Sequence, residues 1–299
     1  RYVDTETGQE YEQEAEVVVL AGFTFTNNRL LLLSDIGVPY NPKTRQGVIG
    51  KNFNGQFNSA ALGARGYFEK EKFNLYMGAG ALGAVFTDLA GDNLDHSKLN
   101  FLHGGAIEIR QYGVGAIGGN EVPDGTPLWG EQFKEKSIHY ANRNVNVWFT
   151  PAIMPWWHNY TDLDDHYTDS FGDPLLRITY DLTDQDRNLA QFGIEKCAEV
   201  LKEMGADIID QDDVPDQFNH VYFGGHYAGG VIMGDNKETS AVNHYLQMWD
   251  ESNLFVVGAS AFPHFSNHHP TWTIGALSYR AAEGVIKFLE TGQPLADSR

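Results

Sequence analysis

Apolar and polar residues follow different periods along the chain, and the changes of period mark its elements. In "EAEVVVLAGFTFTNNRLLLLS" the unbroken apolar run from Val17 to Leu20 predicts a buried strand. Ala21 and Gly22 then allow a tight turn, and "TNNRLLLLS" predicts a short helix with polar residues at its start. In "DQDRNLAQFGIEKCAEVLKEMG", Leu189, Phe192, Cys197, Val200, Leu201 and Met204 fall near one helical face. Thr183 or Asp184 can cap that helix, and Gly205 can end it. "NLFVVGASAFP" repeats the strand–turn grammar near the end of the chain and leads to "TIGALSYRAAEGVIKFLETG", a helix stopped by Gly292 and Pro294. Between these end units, "PYNPKTRQGVIGKNFNGQF" is rich in Pro, Gly and Asn and marks a connection with a domain crossing near residue 50. From about 55 to 224, runs such as "NVNVWFTPAIMPWW" and "LLRITYDL" predict strands among Gly-rich loops. At the start, Thr7 and Gly8 form the turn of a charged hairpin.

Composition then narrows the function. With 42% hydrophobic residues over 299 positions the chain can bury a sizeable core. A net charge of −19 opposes binding to nucleic acid or anionic lipid and suits small, neutral substrates. Cys197 is the single cysteine, so an internal disulfide and a cysteine zinc cluster are both excluded; its place on the apolar helix face makes it a core residue. No segment has the ~20 apolar residues of a membrane span. The polar, acidic start has no signal-peptide profile and no initiator Met, which reads as a chain cut from something longer or matured by processing.

Several segments invite chemistry. "GAGALG" (78–83) and "GVGAIG" (113–118) match the G-x-G-x-x-G pattern of a pyrophosphate cradle, but neither stands in a strand–helix unit, so both read as plain loops. "YTDLDDHYTDSFGD" is rich in carboxylates without the spacing of a calcium loop and reads as a solvated acidic loop. "FPHFSNHHPTWTIGAL" places His264, His268 and His269 just before Pro270 and a helix. Adjacent histidines point to opposite sides of an extended backbone, and no helical ligand pair such as H-E-x-x-H is present, so no metal is expected here. In "NHVYFGGHYAGGVIMG", His226 is flanked by Gly224, Gly225, Gly229 and Gly230, which suits a backbone passing close to something flat or bulky. On pattern alone, acid/base work and a structural role for these histidines stand level.

"HYAGGVIMG" followed by "NLFVVGASAFPHFSNHHPTWTIGALSYRAAEGVIKFL" resembles the C-terminal signature of the glucose-methanol-choline (GMC) flavin oxidoreductases. "EAEVVVLAGFTFTNNRLLLLS" with "GVIGKNF" resembles their central flavin-domain segment. "GAGALGAVFTDLAGDNLDH" with "DPLLRITYDL" resembles the bacterial branch of gluconate, fructose, sorbitol and FAD-dependent glucose dehydrogenases. The likeness covers nearly the whole chain, although the family's N-terminal Rossmann unit, with its true G-x-G-x-x-G, has no counterpart before Arg1.

The resemblance implies an α+β fold. Residues 1–50 and 225–299 would complete a Rossmann-like FAD-binding domain, and residues 51–224 would form an antiparallel-sheet substrate domain with covering helices. It implies oxidation of a CH–OH group of a sugar, sugar acid or polyol, with FAD as cofactor. His226 and His269 would act as the acid/base pair; His269 is preferred over His268 because it directly precedes Pro270. Gly22, Gly258 and Ala259 would lie against the cofactor, Gly258 standing where many family members carry Asp. Thr271 and Trp272 would offer backbone N–H groups to the flavin's pyrimidine oxygen. Small and cytochrome subunits as partners, and a periplasmic location, follow from the same branch. An oxygen-using oxidase of the family and a cofactor-less carbohydrate-binding protein, the latter suggested by the aromatic "PAIMPWWHNY", are the alternatives.

Overall fold

A computed structural model of the chain describes residues 1–55, 62–74, 83–110, 121–214 and 226–295. Among these the elements in chain order are β1 (Tyr2–Val3), β2 (Glu10–Tyr11), β3 (Val18–Leu20), α1 (Thr24–Leu33), β4 (Lys51–Gly55), β5 (Gly63–Tyr67), β6 (Gly83–Phe86), β7 (Gly105–Arg110), α2 (Glu131–Tyr140), β8 (Asn144–Pro151), β9 (Tyr160–Thr168), β10 (Pro174–Thr179), α3 (Asp184–Glu203), β11 (Ile208–Gln211), β12 (Tyr227–Gly230), β13 (Leu254–Val256) and α4 (Thr271–Thr291).

The largest sheet runs β11-β5-β8-β7-β6, every neighbouring pair antiparallel. Alternation along its strands separates two chemistries. Ile107, Val145, Val147 and Phe149 lie on one face and pack with Leu189, Cys197 and Leu201 of α3. On the other face Ala106 pairs with Thr150, Glu108 with Trp148, and Arg110 with Asn146. One side of the sheet is thus a core and the other a polar platform.

Helix α3 is built as its sequence predicts. The Thr183 side chain accepts from the Asp186 N–H while the Asp186 carboxylate accepts from the Thr183 N–H, a reciprocal cap worth about 1 kcal/mol. Gly205 follows in the left-handed conformation at φ 83°. The helix lies so close to the sheet that a Cβ on Gly193 would sit 2.0 Å from the Phe149 ring. Cys197 is fully buried there, and burial pushes its thiol well above the ordinary thiol range, as expected of a packing residue.

A second core joins the two ends of the chain. Strand β3 pairs in parallel with β13, and β12 pairs antiparallel with β4. Leu31, Leu32, Val48, Ile49, Val231, Val256 and Leu277 share one apolar cluster. The parallel pairing explains why the two end units share a grammar: each supplies one strand and a turn to the same place. Val18 and Val19 nonetheless stay 43% and 49% exposed. The buried strand predicted at Val17 to Leu20 is therefore a strand with an open side among the described residues.

Three expectations change. The acidic stretch is not a loop: Tyr160–Thr168 pairs with Pro174–Thr179 as a hairpin. Part of its charge is paired, with Arg177 bound across the ladder to Asp162 and Asp165, and Arg29 of α1 bound to Asp169. Lys51–Gly55, placed within a connection on composition, is a strand because Tyr227–Gly230 pairs with it. Gly83, the last glycine of "GAGALG", opens strand β6 beside Arg110 rather than lying in a plain loop. The rest of that motif, all of "GVGAIG", and residues 219–225 around the first glycine pair lie outside the described residues. The opening hairpin forms at Thr7 and Gly8 as read, with Gly8 at φ 71°.

Candidate active site

Two chain ends bring the histidines together. Residue 226 directly precedes β12, whose first side chain, Tyr227, stacks on Phe53 of β4 at 5.8 Å between ring centroids and meets Phe25 of α1 at 4.6 Å. The Thr24 hydroxyl donates to the Tyr227 carbonyl at 2.6 Å. These contacts fix the backbone that carries His226. Residue 269 ends the loop between β13 and α4, and that loop is pinned where Phe265 and Ile153 exchange backbone hydrogen bonds at 3.0 and 3.3 Å. The fully buried Phe265 also lies against the His226 ring, 6.5 Å away. His226 and His269 consequently face one another with ring centroids 5.4 Å apart and planes at 68°.

The pair stands between two clefts. The first, of about 360 Å³, is lined by Ala21, Phe23, Thr24, Gly258, Ala259, Thr271 and Ile274 together with His226. Its walls are largely apolar, and the N-terminus of α4 opens at it with no side-chain cap on Pro270. The first N–H groups of that helix have no intrahelical partner, so a partly negative acceptor is favoured there. Gly258, at φ 101°, has nothing within 4 Å of where a Cβ would stand, leaving room for a ligand to approach the backbone. Such a cleft fits a flat ring system with an electron-rich edge. The second cleft, of about 300 Å³, is lined by Gly83, Ala84, Val85, Glu108, Arg110, His268 and His269.

Of the residues predicted for the site, His226, Gly258, Ala259 and Thr271 line the first cleft and His269 the second. Gly22 does not line it; its N–H donates to the Asn27 Oδ1 at 2.9 Å. The Trp272 side chain is 91% exposed, and the residue does not line the cleft. His268 lines the same cleft as His269, contrary to the opposite-sides expectation. His264 is held apart, exposed and stacked on His103 at 6.5 Å. Among the described residues no group of three or more His, Cys, Asp or Glu is placed to hold a metal ion.

Three contributors escape the sequence reading. Glu108, only 3% exposed, places Oε1 3.1 Å from His269 Nε2 and accepts from the Thr150 hydroxyl at 3.1 Å. Arg110 forms an ion pair with Glu108, lies 2.8 Å from the same imidazole nitrogen and covers the Trp148 ring at 4.8 Å. Asn27 is fully buried and donates to the Val257 carbonyl and the Ser260 hydroxyl, both at 3.0 Å, tying the two turns that frame the first cleft. A signal for the charges was present in "GAIEIR": two opposite charges two positions apart, alternating with isoleucines, share one face of a strand.

Electrostatics distinguish the two rings. Burial lowers the His226 pKa below the ordinary imidazole value; His269 and Arg110 lower it further, while Glu108 opposes them. His226 is therefore held neutral at pH 7, as a proton acceptor must be. In the aromatic stretch that suggested sugar binding, the Trp156 indole donates to Asp186 at 3.1 Å, while Trp157, with Arg45 over its ring at 4.1 Å, stays 43% exposed.

Comparison with known proteins gives this arrangement its relatives. Residues 158–278 match the family model described as GMC oxidoreductase. The gluconate 2-dehydrogenase flavoprotein of Pantoea cypripedii is 38% identical over 99% of the chain and 48% of its own length. The 2-methyl-1,2-propanediol dehydrogenase of Mycolicibacterium austroafricanum is 28% identical over 96% of the chain and 50% of its own length. The chain thus spans about half the length of the curated relatives it matches. In fold it is similar to the crystal structure of pyridoxine 4-oxidase from Mesorbium loti, with a TM-score of 0.54 at 14% identity over 92% of the chain and 51% of that protein. Residues 158–278 thus carry the C-terminal domain of the GMC oxidoreductases.

Proposed function

We propose that the chain is part of an FAD-dependent dehydrogenase that oxidises a CH–OH group of a sugar, sugar acid or polyol. The observation that carries this reading is the His226–His269 pair, 5.4 Å apart between an apolar cleft and a polar one. The first cleft suits the flavin ring of FAD, with Gly258, Ala259 and the N–H groups of Thr271 and Trp272 around its edge. Bound there, FAD supplies a hydride acceptor. Residues 1–50 and 225–299 would form the cofactor side and residues 51–224 the substrate side.

Oxidising an alcohol requires that the hydroxyl proton leave as the hydride departs from carbon, so that a carbonyl remains. Neutral His226 accepts that proton and His269 holds the oxygen. The second cleft takes the rest of the substrate, where the paired charges of Glu108 and Arg110 offer both acceptors and donors to its hydroxyl groups. Partner subunits that carry electrons onward, and a periplasmic site of action, belong to the same reading. The likeness to the flavoprotein of gluconate 2-dehydrogenase supports the partner subunits, while the location rests on the sequence resemblance alone.

The test is anaerobic mixing of the full-length enzyme with gluconate, aldoses and polyols in turn, followed by air. Bleaching of the flavin by at least one of them, with slow reoxidation in air, is expected. No bleaching by any CH–OH donor would remove the reading, and fast reoxidation by O₂ would replace dehydrogenase by oxidase.

A further inference from the structure

We propose that Arg110 is a positioning residue that decides which ring nitrogen of His269 carries the proton. The inference rests on the reading of the histidine pair above and deepens it, because Arg110 serves no step in that reading beyond general polarity. A guanidinium has only donors, so at the 2.8 Å contact with His269 Nε2 the imidazole nitrogen must accept. A neutral ring that accepts at Nε2 carries its proton on Nδ1. The Glu108 carboxylate makes the opposite demand on the same nitrogen, since at 3.1 Å it accepts only and favours Nε2–H.

Distance and occupancy settle the competition. Arg110 is the nearer, and Glu108 is already committed to the guanidinium and to the Thr150 hydroxyl at 3.1 Å. The guanidinium is itself fixed, ion-paired by Glu108 and stacked on the Trp148 ring. Pairing also neutralises it, which makes a charge tolerable beside two histidines. Among the described residues the titratable or charged groups facing His269 are His226, Glu108 and Arg110, with His268 beside it in the second cleft. The outcome is a division of labour between two similar rings: His269 is a donor through Nδ1–H, and His226 is left as the proton acceptor.

The test uses the full-length holoenzyme with ¹⁵N-labelled imidazoles, His269 being assigned by the signal lost in His269→Asn. Without substrate, the neutral His269 ring is expected as the Nδ1–H tautomer. In Arg110→Met the Nε2 proton should appear, bound to Glu108, and Arg110→Lys should restore the original form. The pH dependence of flavin reduction supplies a second readout. Its acid limb should move up in Arg110→Met and down in Glu108→Gln, opposite shifts that a purely structural role would not produce. Nε2–H in the unaltered enzyme, or both variants shifting the limb the same way or not at all, would overturn the proposal. Should Arg110→Met fail to fold, Glu108→Gln and the tautomer of the unaltered enzyme still decide it. The tautomer is read without turnover, so it stands or falls separately from the catalytic reading, which normal flavin reduction in His226→Ala would remove.

Discussion

Replacing His226 by alanine in the full-length enzyme is expected to leave FAD bound and to slow flavin reduction by a hydroxyl donor about 10²- to 10⁴-fold, the scale of losing a positioned base. The ring does not close the first cleft alone, since Ala21, Phe23, Thr24, Val257, Ile274 and the α4 terminus remain to hold a flavin. Its loss should therefore act on the chemical step. The pH profile carries the sign. Burial, His269 and Arg110 depress the His226 pKa, so the base is neutral through the neutral range and the reduction rate should fall only as pH drops below the ordinary imidazole value of 6.5. That acid limb should change shape in His226→Ala. His269→Asn should be milder than His269→Ala, since an amide N–H still holds the oxygen. Stopped-flow bleaching under anaerobic conditions reads all of these rates.

Gly229→Ala is expected to be a strongly damaging conservative change near the site. Gly229 sits at φ 81°, where an L-residue costs about 1–2 kcal/mol, and its added Cβ would stand 2.1 Å from the Asn52 carbonyl oxygen on the partner strand. Asn52 has little freedom to yield: it is itself at φ 54°, and its side chain donates to the Pro155 carbonyl at 2.9 Å. The strand pair that carries His226 must shift, at a total cost of about 2–4 kcal/mol. Gly172→Ala is the control, because Gly172 has φ 89° and nothing within 4 Å. Thermal unfolding of the two full-length variants should show the larger drop for Gly229→Ala by several degrees, together with slower flavin reduction. Equal drops would mean that the contact with Asn52 is unimportant.

Much of this was legible locally because the relevant physics is local. Thr183 and Gly205 delimit α3 through a short-range hydrogen bond and a backbone preference, and both were readable. The strand grammar around Val18 and Leu254 was visible too, since each element carries its own apolar run. What escaped was set by partners distant in sequence. The carboxylates of residues 162–169 look like a solvated loop until Arg177 and Arg29 are placed opposite them. Lys51–Gly55 carries two asparagines and a glycine and becomes a strand only because Tyr227–Gly230 pairs with it. Glu108 and Arg110 were missed for the same reason, as nothing near them in sequence announces His269. Trp272 shows a different limit: naming a residue for its backbone N–H says nothing of its ring, which points to solvent.

The most direct measurement of the central claim is a structure of the full-length enzyme with FAD and a slow or non-reacting polyol bound. Substrate and flavin should meet at the junction of the two clefts, with one hydroxyl oxygen within about 2.6–3.2 Å of both His226 and His269 and its carbon facing the flavin ring. A flavin ring lying away from Gly258 and Thr271, or a substrate hydroxyl out of reach of both imidazoles, would contradict the account.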